Sequence, residues 1–101
     1  MQNALTQLPF VQELRLSPQA LLRLRRQAEF ARLNQQRFAQ LSGREREILG
    51  LICQGLSNEE IGRRIFRSVN TVRTHRNNIW RRLGIRSVVE AVRWAQAFDL
   101  V

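Results

Sequence analysis

From Ser42 onward, apolar side chains return every three or four residues in four separate runs: Ile48, Leu51 and Ile52; Ile61 and Ile65; Val72, Ile79 and Leu83; Val88, Val92 and Ala95. That interval gathers each set on one face of a helix, and no alternating strand pattern competes with it. The breaks between the runs carry helix punctuation. Ser42, Ser57 and Ser87 each stand three residues ahead of a glutamate. At that spacing a serine hydroxyl and a carboxylate satisfy each other's backbone N–H groups at a helix start. Ser68 opens another helix, with Thr71 where the glutamate would stand. Gly55 and Gly84 follow the first and third runs, where a left-handed residue ends a helix. The pattern predicts four short helices around one core over residues 41–101, an all-α domain.

Ahead of Ser42 the pattern changes. Pro18 after Ser17 suits the first position of a further helix, over about residues 18–40. Leu21, Leu24, Ala28, Ala31, Phe38 and Leu41 follow a heptad-like spacing that Gln35 interrupts. Such a seam fits a short dimeric coiled coil or a connector, with Leu21, Leu24 and Ala28 as dimerisation residues. It fits equally a helix folded back over an edge of its own domain. Residues 1–40 are therefore read as an N-terminal segment carrying a connector or dimerisation helix. Residues 1–17, broken by Pro9, show no pattern of their own.

Charge adds what periodicity does not. All 17 basic side chains are arginine, the net charge is +9, and residues 61–89 hold eight arginines and no acid. A field concentrated in that way attracts polyphosphates or anionic surfaces. A basic helix lying on a membrane is set aside, because the apolar residues of the third helix are needed for the core. The longest apolar run, Ile48 to Cys53, is too short to span a bilayer, and the first residues lack the features of a secretory signal. A cytoplasmic, nucleoid-associated protein is the expectation. Cys53 and His75 make no metal set, and no cofactor is expected. Neither a nucleophile–base couple nor a phosphate-cradling glycine loop is present, and Glu45, Glu59 and Glu90 are taken as helix caps. An enzyme acting on a small-molecule substrate is not expected.

Between Phe66 and Ser68 only a tight turn separates the second and third helices, the length that joins crossed helices in a helix-turn-helix. On the third helix, about residues 69–83, Val72, Ile79 and Leu83 share one side. Asn70, Arg73, Thr74, Asn77 and Arg81 fall opposite. Arginine can bond guanine through two N–H groups, asparagine can bond adenine, and a threonine methyl can touch thymine. This row therefore suits a major groove. Helix-start hydroxyls and N–H groups at Ser57, Asn58 and Thr71 can meet phosphates. Arg63, Arg64, Arg67, Arg76, Arg82 and Arg86 supply the surrounding attraction.

The elements LSGREREIL, GLSNEEI, TVRTH and NIWRRLGI stand in order over residues 41–101. Together they closely resemble the LuxR/NarL, or GerE-like, four-helix DNA-binding domain of bacterial transcription regulators. The resemblance implies binding to double-stranded DNA, usually as a dimer on an inverted repeat, with the third helix in the major groove and the fourth in dimer contacts. By position it implies base contacts from Arg73, Thr74 and Asn77. It implies backbone contacts from Asn58, Thr71 and Arg81, and the residue pattern itself adds Ser57, Asn70, Arg76 and Arg82 to the expected backbone set. Arg73 and Arg82 stand where the family often has lysine, and Asn77 where it often has a basic residue. Arginine's planar fork strengthens a preference for guanine.

In two-component members of that family a phosphorylatable receiver domain precedes the module, and in quorum-sensing members a ligand-binding domain does. Neither fits in 40 residues, so the chain is read as a short free-standing regulator or as the output end of a longer one. Expected partners are duplex DNA, a second copy of the chain, and RNA polymerase or an upstream sensor module. Val92 and Ala95, beside Trp94 on the last helix, either form a dimer surface or close the core. His75, at the edge of the apolar stripe, and Trp80 are expected to pack rather than react or stack on bases. A competing reading makes the chain a protein-interaction adaptor that grips its partner through the N-terminal helix and touches DNA weakly.

Overall fold

The computed structural model describes residues 16–101, which form five helices and no strand. These are α1 (Pro18–Phe38), α2 (Gly43–Cys53), α3 (Asn58–Ile65), α4 (Val69–Leu83) and α5 (Val88–Ala97). Every start follows the serine grammar. Ser17, Ser42, Ser57, Ser68 and Ser87 are the N-caps, each hydroxyl accepting a backbone N–H from three residues ahead. Reciprocal capping boxes close at Ser42–Glu45, Ser57–Glu60 and Ser87–Glu90. At α3 the partner is thus Glu60, and the expected role of Glu59 is corrected. Only the third helical position can fold back onto the cap's own N–H.

Stops are partly as expected. Gly55 and Gly84 have φ of 93° and 68°, the left-handed backbone that glycine adopts without a Cβ clash. The end of α3 is different: Phe66 itself is left-handed, with φ 58° and ψ 48°.

The core gathers around α4, which packs against α1, α2 and α3, while α2 also packs against α5. Ile48, Leu49, Ile61, Val72 and Ile79 are fully buried, so the apolar runs face one another as their spacing requires. Leu49, one residue off the expected stripe, is buried because α2 is covered on several sides.

The last helix departs from expectation. Ala91, Trp94 and Ala95 are its buried face, whereas Val88 is 38% exposed. Ala95, named as a dimerisation residue, is sealed in the core at 0% exposure and is not surface at all. The rotation follows Trp94, whose ring meets Phe30 edge-on at 5.0 Å and lies beside Phe98. Burying that large ring fixes which side of α5 turns inward.

From Gln27 onward, one side of α1 lies against the helical domain. Phe38 is buried and stacks on Phe98 at 4.0 Å, and Gln27 donates to the Gln96 carbonyl at 2.6 Å. Leu21 and Leu24, 44% and 52% exposed, and Ala28 stay outside.

Candidate nucleic-acid interface

The helix-turn-helix is built by α3, the turn Phe66–Ser68, and α4. Its tightness depends on Gly62, because a Cβ there would lie 2.6 Å from the Arg67 carbonyl oxygen. The Arg67 N–H in turn donates to the Gly62 carbonyl at 2.9 Å. A second link sets the crossing of the two helices: Arg76 donates to the Asn58 side-chain oxygen at 3.3 Å, with its guanidinium 5.1 Å from the Trp80 ring centre. Asn58 and Arg76, both expected on phosphates, are therefore first partners of each other.

Outward from this frame, Asn70, Arg73, Thr74, Asn77 and Arg81 are all exposed, while Val72, Ile79 and Leu83 on the opposite side are at most 1% exposed. The three expected base-reading residues lie together on one solvent-facing surface. The side chains of Arg73 and Asn77 make no hydrogen bond or ion pair to any described residue. Thr74 turns its hydroxyl back to the Asn70 carbonyl at 3.1 Å, which leaves its methyl for outside contact. Arg81 is held by Asn78 at 2.7 Å.

Helix starts differ in their fitness for phosphate. At α3, Glu60 occupies the Ser57 N–H at 3.0 Å, and the bonds from Ser57 hold its carboxyl below the usual carboxylate range, with Arg63 and Arg64 adding to the effect. An anion approaching Ser57 therefore meets a charged carboxylate. At α4 no acidic residue stands in the first turn, and Ser68 and Thr71 share a hydroxyl–hydroxyl bond of 3.0 Å. The positive end of that helix remains open to a phosphate.

Arg82, also expected on the DNA backbone, has an internal task. Its Nη1 donates to Glu45 at 2.5 Å and to the Gln40 carbonyl at 3.3 Å. Glu45 is only 4% exposed and accepts the Ser42 N–H as well. Sequence reasoning assigned the cap but missed the ion pair, for nothing in residues 42–45 points to position 82. Trp80 and His75 are half-buried on the flank of the apolar stripe, and Trp80 packs against the core. Cys53 is half-buried too, and burial pushes its thiol upward against the opposing charge of Arg76.

Among the described residues no group of His, Cys, Asp and Glu side chains is placed to hold a metal ion, and no helix is long and apolar enough to cross a membrane. Hollows on the surface are shallow and open, and one of those between α1 and α5 is lined by Arg23, Arg26, Gln27, Arg93 and Gln96.

A family profile described as "Bacterial regulatory proteins, luxR family" matches residues 39–95. Among characterised proteins, the chain is 41% identical over 61 residues to the Fimbriae Z protein of Escherichia coli (strain K12), covering 60% of this chain and 29% of that protein. It is 42% identical over 64 residues to the CsgBAC operon transcriptional regulatory protein of the same strain, covering 63% and 30%. It is 47% identical over 58 residues to the oxygen regulatory protein NreC of Staphylococcus aureus (strain JH9), covering 57% and 27%. The match thus spans under a third of each relative's length.

Proposed function

The chain belongs to the luxR family of bacterial regulatory proteins, and from that premise we propose that it is a transcription regulator that binds double-stranded DNA in a sequence-specific manner, with α4 in the major groove. One observation carries this reading. Asn70, Arg73, Thr74 and Asn77 form an exposed polar row on a helix whose other side is locked into the core. Arg73, Thr74 and Asn77 read bases. Ser68 and Thr71 at the carboxylate-free start of α4, with Asn70, Arg76 and Arg81 along it, hold the phosphate strand. Among relatives, the CsgBAC operon transcriptional regulatory protein is by its name a regulator of an operon, which is the kind of output proposed here.

Residues 41–101 are the DNA-binding module and α1 is its connector. The protein acts on DNA as a dimer. Val92, half-buried, adjoins the exposed Val88 and Val89, the latter 82% exposed, and this apolar face of α5 is where a second copy sits. The seam of Leu21, Leu24 and Ala28 on α1 extends that contact or receives a sensor module or polymerase subunit. Acting on the chromosome places the protein in the cytoplasm.

Selection of tight sites from a random duplex pool, followed by titration at two salt concentrations, tests this reading. The selected duplex should bind at least ~10³-fold tighter than a random one, and both affinities should fall with salt. Equal affinity for the two duplexes would favour the adaptor reading, in which α1 holds a protein partner and DNA contact is nonspecific.

A further inference from the structure

Phe66 is placed where two independent considerations argue against a phenylalanine. Its backbone is left-handed, a conformation that glycine and asparagine adopt readily and bulky residues rarely do. Its side chain is 86% exposed, more than any other large apolar residue described. Nor does the turn require the ring. The Phe66 and Arg67 N–H groups both donate to the Gly62 carbonyl, and Arg67 Nη1 returns to the Phe66 carbonyl at 3.0 Å, so backbone and neighbouring groups close the turn without it. A strained, solvated aromatic that contributes nothing visible to the fold points to a contact outside it.

We propose that Phe66 packs against the deoxyribose backbone of the DNA strand beside the groove that α4 enters. The proposal rests on the DNA-binding reading above. Phe66 stands two residues ahead of Ser68, the cap of the one helix start in the helix-turn-helix that lacks a carboxylate. It lines a shallow hollow with Gly62, Arg63, Arg67, Ser68 and Glu59. Two arginines against one glutamate select an anionic occupant. A nucleic-acid strand offers phosphates to Arg63 and Arg67, and between them the apolar C–H edges of the sugars to the ring. Because the ring is uncharged, it releases no counterion and adds affinity without adding salt dependence.

The test compares the full chain with Phe66→Asn and Arg67→Ala on a selected duplex and a random duplex across a salt series, with thermal melting of each protein. Asparagine suits the left-handed backbone, so Phe66→Asn should melt at or above the wild-type temperature. Its affinity should fall about five- to tenfold on both duplexes, the size expected when an aromatic ring loses partial burial, with the salt slope unchanged. Arg67→Ala should instead lower that slope by about one. Unchanged affinity of Phe66→Asn on both duplexes would overturn the proposal, and so would a loss confined to the selected duplex, which would make the ring a base contact. A lowered melting temperature would also overturn it, by assigning the ring to the fold. If the wild type binds neither duplex, the DNA-binding reading itself has failed, a result distinct from these.

Discussion

Along α4, Arg73 faces solvent with no partner among the described residues, whereas Arg82 gives its guanidinium to a carboxylate that is 4% exposed. The two residues are nine positions apart, two and a half turns, so they leave the helix on different flanks. Arg82 leans toward the start of α2, where Glu45 already caps Ser42, and Arg73 leans toward nothing. The first half of α4 is thus held by its apolar side and by the Arg76–Asn58 brace at its middle, and keeps the face of Arg73 and Asn77 exposed. The second half is tied down on both sides. One helix can then be an anchored element at one end and a reading surface at the other, and rigid support is what a base-reading row needs to hold its register in a groove.

The largest expected effect comes from cutting the anchored end. Glu45→Ala removes a cap and leaves Arg82 without its carboxylate, and should destabilise the fold by about 2–4 kcal/mol in denaturant unfolding. If stability changes by less than the loss of an ordinary cap, the ion pair is not an anchor and the contrast between the two halves disappears. Next, Arg73→Ala should weaken the selected duplex by about 1–3 kcal/mol in a binding titration and relax base preference. Its unfolding curve should stay within about 0.5 kcal/mol of wild type. A smaller but opposite pattern is expected of Arg82→Ala: about 1–2 kcal/mol of stability lost, moderated because the arginine is half-exposed, with the ratio of selected to random binding preserved. Should Arg82→Ala change base preference instead, the assignment of the two halves is reversed.

The smallest effect separates the two helix starts of the helix-turn-helix. Glu60 has its carboxyl lowered by the Ser57 bonds, so its contribution is present above the unfolded carboxylate value and is lost as pH falls through the lowered folded one. The melting temperature of wild type should therefore exceed that of Glu60→Gln near neutral pH, and the gap should close in acid. Thr71, which holds the same position in α4, carries no charge, so Thr71→Ala should show a pH-independent difference. A gap for Glu60→Gln that persists in acid would show that the box works through packing rather than charge.

Most of the fold was legible because helix grammar is local. Ser17-Pro18, the three serine–glutamate boxes and the glycines at 55 and 84 act within a few residues, and each does so in the structure. The exposed polar row was legible for the same reason, since residues 70, 73, 74, 77 and 81 share a face by helical angle alone. Where reasoning from the chain fell short, the cause was tertiary. Phe66 ends α3 with no glycine to announce it, because the turn is set by the Gly62 and Arg67 backbones meeting. Ala95 was open to either a surface or a core role until Trp94 oriented α5.

What the sequence by itself determined is where each helix begins and ends and which of its faces is apolar, for both follow from hydrogen bonds and side-chain angles within a few turns. What only the tertiary structure decided is the use of chemically identical residues. Arg73, Arg76 and Arg82 became an exposed guanidinium without a partner among the described residues, a brace to Asn58 and an anchor to Glu45. A guanidinium's role depends on which group lies within about 3 Å of it, and that group comes from another helix.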